Sequence, residues 1–208
     1  KEVVTDAEGF YQLKSITDHQ NNATSFEYDP NGNRKKITDA EGNITQYTYD
    51  SNGNITSMTE PNGAVTSWTY DADDNVISKT SPLGLVTTYT YDSAGNVIKS
   101  SYTLNGILHE TTYTYLPTGE LQTVTDPQSS TNSFNYSNKG ELTAVIEALN
   151  QSTTYSHDSL HRRINMTDPL LRIWAYQYDA NNNVTVITNP AGEDDLSTFD
   201  ARDRAISI

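Results

Sequence analysis

One short pattern governs this chain: an aromatic residue, any residue, then another aromatic. It occurs as Phe26-Glu27-Tyr28, Tyr47-Thr48-Tyr49, Trp68-Thr69-Tyr70, Tyr89-Thr90-Tyr91, Tyr113-Thr114-Tyr115, Phe134-Asn135-Tyr136 and Tyr176-Gln177-Tyr178. Tyr155-Ser156-His157 and Ser197-Thr198-Phe199 are degenerate copies. The second members fall at 28, 49, 70, 91, 115, 136, 157, 178 and 199, so the spacing is 21 throughout except for one step of 24. A fixed period of this length signals stacked copies of one supersecondary unit and outranks local propensity.

The residues between the aromatics define that unit. Asp29, Asp50, Asp71, Asp92, Asp158, Asp179 and Asp200 follow the second position, and glycine comes three residues later at Gly32, Gly53 and Gly95, with Gly119 and Gly140 at the matching place. Aspartate opens a turn by bonding backbone two residues on, and glycine accepts the positive φ of a tight reversal. A second punctuation lies between successive aromatic pairs, as in Thr59-Glu60-Pro61-Asn62-Gly63 and Thr188-Asn189-Pro190-Ala191-Gly192. Two turns per 21 residues leave two short segments rich in Thr, Tyr, Val and Ile, such as 44–49 and 55–59. Their composition and near-alternation predict β structure, one hairpin per repeat, about eighteen strands and almost no helix.

In the first strand of a hairpin Thr45, Tyr47 and Tyr49 share a face. In the second, apolar residues sit at opposite parity, as Ile55 and Met58 or Val184 and Ile187. Either both faces receive apolar cover, or a bulge intervenes. Tyr47, Trp68 and Tyr89 are expected on one face at matching depth. The 24-residue step contains Leu104-Asn105-Gly106-Ile107-Leu108, an Asn-Gly turn that lengthens its hairpin.

Composition agrees with an extended sheet rather than a filled core. Apolar residues make up 34% and mean hydropathy is -0.67, too little to fill a two-layer interior. Nine hairpins laid side by side would extend roughly 85 Å, a ribbon that must curl or be covered. Residues 1–208 form a single array with no linker. The net charge of -14 opposes nucleic acid and anionic lipid alike. No run approaches 18 apolar residues, Lys1 to Asp6 lack the apolar core of a signal peptide, and the absence of cysteine removes disulfides and thiol chemistry.

Tyr-x-Tyr-Asp-x-x-Gly-Asn followed by Thr-Asp-x-x-Gly, iterated along almost the whole chain, resembles the YD or Rhs repeat. The start is degenerate, with Ala7 at the expected tyrosine. The resemblance implies a β-strand spiral that closes into a hollow shell. Bacterial Rhs proteins and the C components of insecticidal toxin complexes are similar in using such a shell to hold a C-terminal toxin, and animal teneurins use a related one in adhesion. The bacterial shells end in an Asp-Pro-x-Gly cleavage motif. Here Asp126-Pro127-Gln128-Ser129 and Asp168-Pro169-Leu170-Leu171 sit at the ordinary second-turn position and are read as turns.

Candidate chemistry is sparse. Asp71-x-Asp73-x-Asn75 matches the first half of an EF-hand loop, but Val76 replaces its glycine and Pro82 its bidentate glutamate. His157 and His161 occupy the tyrosine and glycine positions of one repeat rather than a helix face. Glu193-Asp194-Asp195 is a solvated acidic face, and the Asn-x-Ser/Thr triplets follow from an Asn/Thr-rich repeat. Carboxylates recur with the period instead of converging, so no enzyme, metal or cofactor is expected.

The signature positions are thus structural: Tyr28, Asp29, Gly32, Tyr47, Tyr49, Asp50, Gly53, Trp68, Tyr70, Asp71, Tyr89, Tyr91, Asp92, Gly95, Tyr113, Tyr115, Gly119, Phe134, Tyr136, Gly140, Tyr155, Tyr176, Tyr178 and Asp179. The function expected is a segment of a secreted or cell-surface shell whose partners are flanking repeats and an enclosed cargo. The alternative is a carbohydrate-binding or adhesive module that stacks sugars on Trp68 or Trp174. Open sheet edges also favour self-association.

Overall fold

The computed structural model describes residues 2–5 and 11–207, with side chains from 11 to 206. The degenerate start at Ala7 lies outside the described residues. Alternating Thr, Tyr and Val segments form strands wherever Asp/Asn/Gly turns release them, and there is no helix among the described residues.

Two units divide at Glu110/Thr111. The first holds β1 (Glu2–Thr5), β2 (Tyr11–Thr17), β3 (Ala23–Tyr28), β4 (Arg34–Thr38), β5 (Ile44–Tyr49), β6 (Ile55–Thr59), β7 (Val65–Tyr70), β8 (Val76–Thr80), β9 (Val86–Tyr91) and β10 (Val97–Leu104). β11 (Ile107–Tyr115) begins in this unit and ends in the second. The second continues with β12 (Leu121–Thr125), β13 (Thr131–Tyr136), β14 (Leu142–Ile146), β15 (Ser152–His157), β16 (Arg163–Thr167), β17 (Ile173–Tyr178), β18 (Val184–Thr188), β19 (Asp194–Leu196), β20 (Thr198–Phe199) and β21 (Ala205–Ser207). In the first unit β1 to β10 pair antiparallel in chain order; in the second β11 to β19 do the same, and β20 and β21 form a separate antiparallel pair. Strands exceed eighteen because two precede the first aromatic pair and the last repeat's strand is broken at Ser197.

A bulge resolves the parity of the second strand. Tyr47 lies opposite Met58 and Thr48 opposite Ser57, yet Tyr49 lies opposite Ile55, leaving Thr56 unmatched. Ile98, Gln122, Thr143 and Thr185 are skipped in the same way. One extra residue per hairpin puts positions three apart, Ile55 and Met58, on the aromatic face together, since cross-strand partners share a face.

The register also corrects the expected depth of the aromatics. Tyr47 is level with Met58 and then with Thr66, two residues short of Trp68. Trp68 is level with Lys79 and then Thr87, two short of Tyr89. Phe134 and Tyr155 repeat the offset in the second unit, reaching Thr153 and Trp174. The first aromatics therefore line one face diagonally, stepping two residues per hairpin. Thr66, lying beside Tyr47 and Met58 in this diagonal, is 7% exposed, and Ala144 at 9% is the one other residue classed as buried among those described. There is no core in the usual sense.

Both punctuations of the repeat make the same turn. At Asp50–Asn54 the Asp50 N–H donates to the Asn54 carbonyl (3.0 Å) and the Gly53 N–H to the Asp50 carbonyl (3.3 Å). Glu60–Ala64 does the same at 2.9 and 2.8 Å, and so do the turns at Asp126 and Asp168. This is a three-residue hairpin loop whose last member is left-handed. Gly53 fills that place with φ +90°, whereas Leu171 holds it at φ +61°.

An L-residue in the left-handed region costs about 1–2 kcal/mol, partly offset by the unfolded-state entropy of glycine. Leu171→Gly is therefore expected to raise stability by about 0.5–1 kcal/mol, and Gly53→Val to lower it by about 1 kcal/mol or more. Thermal melts of the two variants check this, and unchanged midpoints in both would rule out the backbone argument.

Candidate functional site: aromatic face, turns and irregular hairpin

Every signature aromatic from Tyr28 to Tyr178 is half-buried, including Trp68, as is Trp174. Across the strands five of the second aromatics meet aliphatic side chains: Tyr49 faces Ile55, Tyr70 Val76, Tyr91 Val97, Tyr136 Leu142 and Tyr178 Val184. Each such pair contributes about 0.2–1 kcal/mol. The opposite face carries hydroxyl pairs, Thr48 with Ser57 (2.7 Å), Thr69 with Ser78 (2.6 Å) and Thr88 with Ser101 (2.9 Å).

The second aromatic has a role its sequence position does not announce. The Tyr70 hydroxyl donates to the carbonyl of Ile55 at 2.7 Å. Tyr28, Tyr49, Tyr91, Tyr136 and Tyr178 donate in the same way to the carbonyl fifteen residues earlier, of Leu13, Arg34, Val76, Leu121 and Arg163. Asn54 accepts the Asp50 N–H on the β5 side. Carbonyls alternate along a strand, so that of Ile55 faces β7, where the hydroxyl takes it. Each tyrosine thus clasps its own hairpin to the previous one. Partial burial pushes the Tyr49, Tyr70, Tyr91 and Tyr136 hydroxyls up from the ordinary phenol value. His157 and Phe199 stand at the same position without a phenol.

The turn aspartates are saturated by their own loops. Asp50 Oδ1 accepts the N–H groups of Asn52 and Asn54, both at 2.9 Å, and Oδ2 accepts the Asn54 side-chain amide at 3.1 Å. Asp29, Asp71, Asp92 and Asp179 repeat the arrangement. Where arginine replaces the final asparagine, its Nε takes over at 2.8 Å in Asp158–Arg162 and 2.7 Å in Asp168–Arg172 and Asp200–Arg204. The Asn54 backbone N–H, ahead of its side chain, holds the Asp50 carboxyl below the usual carboxylate range, and the Arg204 side chain holds Asp200 low. No group of three metal-ligating side chains occurs among the described residues. Asp71, Asp73 and Asn75 form one of these turns.

Ser137, Glu141 and His161 come together in one cluster. Ser137 Oγ donates to Glu141 Oε2 (2.9 Å), and Glu141 Oε1 meets His161 Nδ1 (2.7 Å). A nucleophilic triad needs the imidazole between hydroxyl and carboxylate, whereas here the carboxylate lies between them. Ser137 also accepts the N–H of Lys139 and Glu141, which is the turn aspartate's task.

The 24-residue step makes an irregular, lengthened hairpin. Asn105 and Gly106, both at positive φ, join an eight-residue β10 to a nine-residue β11. Tyr102 and His109 stack across this hairpin with ring centroids 4.8 Å apart. Beside it lies an open groove of about 790 Å³, lined by Leu83, Leu85, Val86, Leu104 and Leu108. Leu83 is 97% exposed and Leu108 62%. The extra Leu and Ile residues around Asn105-Gly106 were the signal for it.

The RHS Repeat family profile matches residues 6–44, 28–65, 49–77, 70–107, 136–172 and 164–194, together more than half of the chain. The chain belongs to the RHS Repeat family. No curated protein matches it in sequence. This RHS-repeat chain is similar in structure to a crystal structure of TcdB2-TccC3-TEV, with TM-score 0.51 and 16% identity over 99% of this chain and 16% of that one. A TcdB2-TccC3-Cdc42 structure gives 0.42 and 15% over 89% and 15%, and a porin-like protein from Bacteroides uniformis 0.41 and 13% over 94% and 92%. The first shares its all-β repeat fold, and the chain spans 16% of that protein's length.

Two outcomes follow from the clasp and the turns. Tyr70→Phe leaves the Ile55 carbonyl without its donor and is expected to cost about 1 kcal/mol, seen as a lower denaturant midpoint at unchanged slope; a midpoint equal to wild type overturns the clasp. The aspartates, with native pKa values depressed, contribute stability fully present above the unfolded value of about 3.9 and lost as pH falls through the lower native values. Melting temperature is expected to hold from about pH 7 to 5 and drop below about pH 4. A flat profile down to about pH 2 contradicts it.

Proposed function

We propose that this chain is a continuous stretch of the wall of an RHS shell, part of a longer exported protein, and that the shell encloses a C-terminal toxin or effector. The observation that carries this reading is that the groups capable of chemistry occur in step with the repeat and are used locally: aspartates by their turns, tyrosine hydroxyls by neighbouring carbonyls. A wall requires that regularity, whereas catalysis requires unlike groups at one place. In this reading the segment has no enzymatic activity. Its likeness to a TcdB2-TccC3 structure supports the fold of such a wall.

Half-burial of Trp68 and Trp174 supports packing over sugar stacking. A ring that serves as a platform for a pyranose needs an open face.

Limited proteolysis of the full-length parent protein tests the enclosure. The C-terminal segment is expected to resist a protease that digests it rapidly when expressed alone, and to lose protection when Thr48 and Thr69 are both replaced by proline, which removes ladder donors. Equal digestion rates with and without the repeats would falsify the container.

A further inference from the structure

We propose that Arg163, with Tyr155 and Tyr176, forms a carboxylate-recognition site on the aromatic face of the second unit, and that its occupant is an aspartate or glutamate side chain of a polypeptide. For its source this rests on the enclosed-chain reading above.

The repeat itself exposes the anomaly. The residue directly opposite the second aromatic is Ile55, Val76, Val97, Leu121, Leu142 or Val184 in six hairpins and Ala205 in the last. In two hairpins, one per unit, it is Arg34 or Arg163. At a position whose ordinary duty is aliphatic packing, arginine contributes a charge that packing does not need. Both guanidinium groups keep the place by stacking on the first aromatic of their own hairpin, Arg34 over Phe26 at 5.0 Å and Arg163 over Tyr155 at 5.7 Å. Arg163 alone of the two also stacks on the first aromatic of the following hairpin, Tyr176, at 4.7 Å.

Stacking leaves the edges of a guanidinium unused. Its five N–H donors lie in the plane of the group, matched in spacing to the two oxygens of a carboxylate. Arg162, Arg172 and Arg204 direct theirs to the turn aspartates four residues earlier, at 2.6–2.7 Å. Arg163 has no hydrogen-bond or ion-pair partner for its guanidinium among the described residues, and it is exposed. In a chain with 27 acidic residues, a fork fixed by two rings and left open is preorganised for an anion from elsewhere. Preorganisation lowers the ordering cost of binding.

Charge and ring coverage narrow the occupant. A chain of net charge -14 does not steer free anions toward itself. A carboxylate held nearby on an enclosed or tethered chain gains the effective concentration that long-range attraction withholds. An acidic sugar adds affinity chiefly by stacking its ring on an aromatic. Here the Tyr155 and Tyr176 rings carry the guanidinium, and Trp174 is covered by Arg172 at 5.7 Å.

The test follows the arginine Nε–Hε resonances of the labelled 208-residue chain by NMR during titration with a blocked pentaglutamate peptide, and in a parallel arm with oligogalacturonate. A saturable shift at Arg163 is expected with the peptide, with affinity at least about tenfold weaker in Arg163→Leu and intermediate in Arg163→Lys, which keeps the charge and loses the fork. Leucine is native at this position in two other hairpins, so the Leu variant retains the fold, checked by circular dichroism. A non-saturating shift, equal affinity in the Leu variant, or tighter binding of oligogalacturonate than of the peptide overturns the proposal. Saturable peptide binding without protection of the C-terminal segment in the parent keeps the site and sinks the enclosure. Protection without peptide binding does the reverse.

Discussion

A sheet with one layer has nothing to bury its aromatic residues against, so its cohesion has to come from side to side. Three devices supply it here, and each depends on the one before. The aspartate turn fixes where the second strand begins. The bulge one residue into that strand returns Ile55 and Met58 to the aromatic face. With the strand so placed, the Ile55 carbonyl faces the next hairpin, and Tyr70 reaches it. Removing the turn would misplace both the aliphatic partner and the acceptor, which accounts for the joint recurrence of tyrosine and aspartate at the same spacing.

The acidic composition takes on a different meaning in this light. Net charge is ordinarily evidence about partners, but the turn aspartates are folding groups whose oxygens are taken up by backbone and side-chain N–H donors within the same loop. The exchange of asparagine for arginine at the end of the turn shows how the loop tolerates substitution: an amide or a guanidinium serves equally, provided it donates to Oδ2. That reuse leaves Arg162, Arg172 and Arg204 committed and makes an uncommitted arginine informative.

The aromatic pair and both turns were legible in the sequence because each is set by residues within five positions, and their recurrence every 21 residues gave the period and the hairpin. The bulge was visible only as a conflict of parity between Tyr47–Tyr49 and Ile55–Met58, and the sequence could not choose between a bulge and two apolar faces. The clasp and the diagonal stagger were not legible. Both depend on register between hairpins, which no run of adjacent residues encodes: Tyr70 meets Ile55 and Tyr47 meets Thr66 because of where β6 and β7 happen to pair. Trp174, a candidate sugar platform by type, proves to occupy the place of Thr66 beside the first aromatic of the previous hairpin.

A strict lattice also separates what folding requires from what it merely permits. Glycine, asparagine, serine, histidine and leucine all occur at the left-handed turn position, so variation there reports tolerance, at a cost in strain for Leu171. Variation opposite the second aromatic is of another kind. Aliphatic residues there are interchangeable, while arginine brings a side-chain ordering cost larger than an aliphatic residue does, and the stacks on Tyr155 and Tyr176 return only about 0.5–1 kcal/mol each at an exposed site. The lengthened hairpin around Asn105-Gly106 departs from the period in the same sense, since it adds exposed Leu104, Ile107 and Leu108 on strands longer than those of the regular repeat. Departures that make the wall harder to build, rather than merely different, are the places where a repeat protein carries information beyond its own folding.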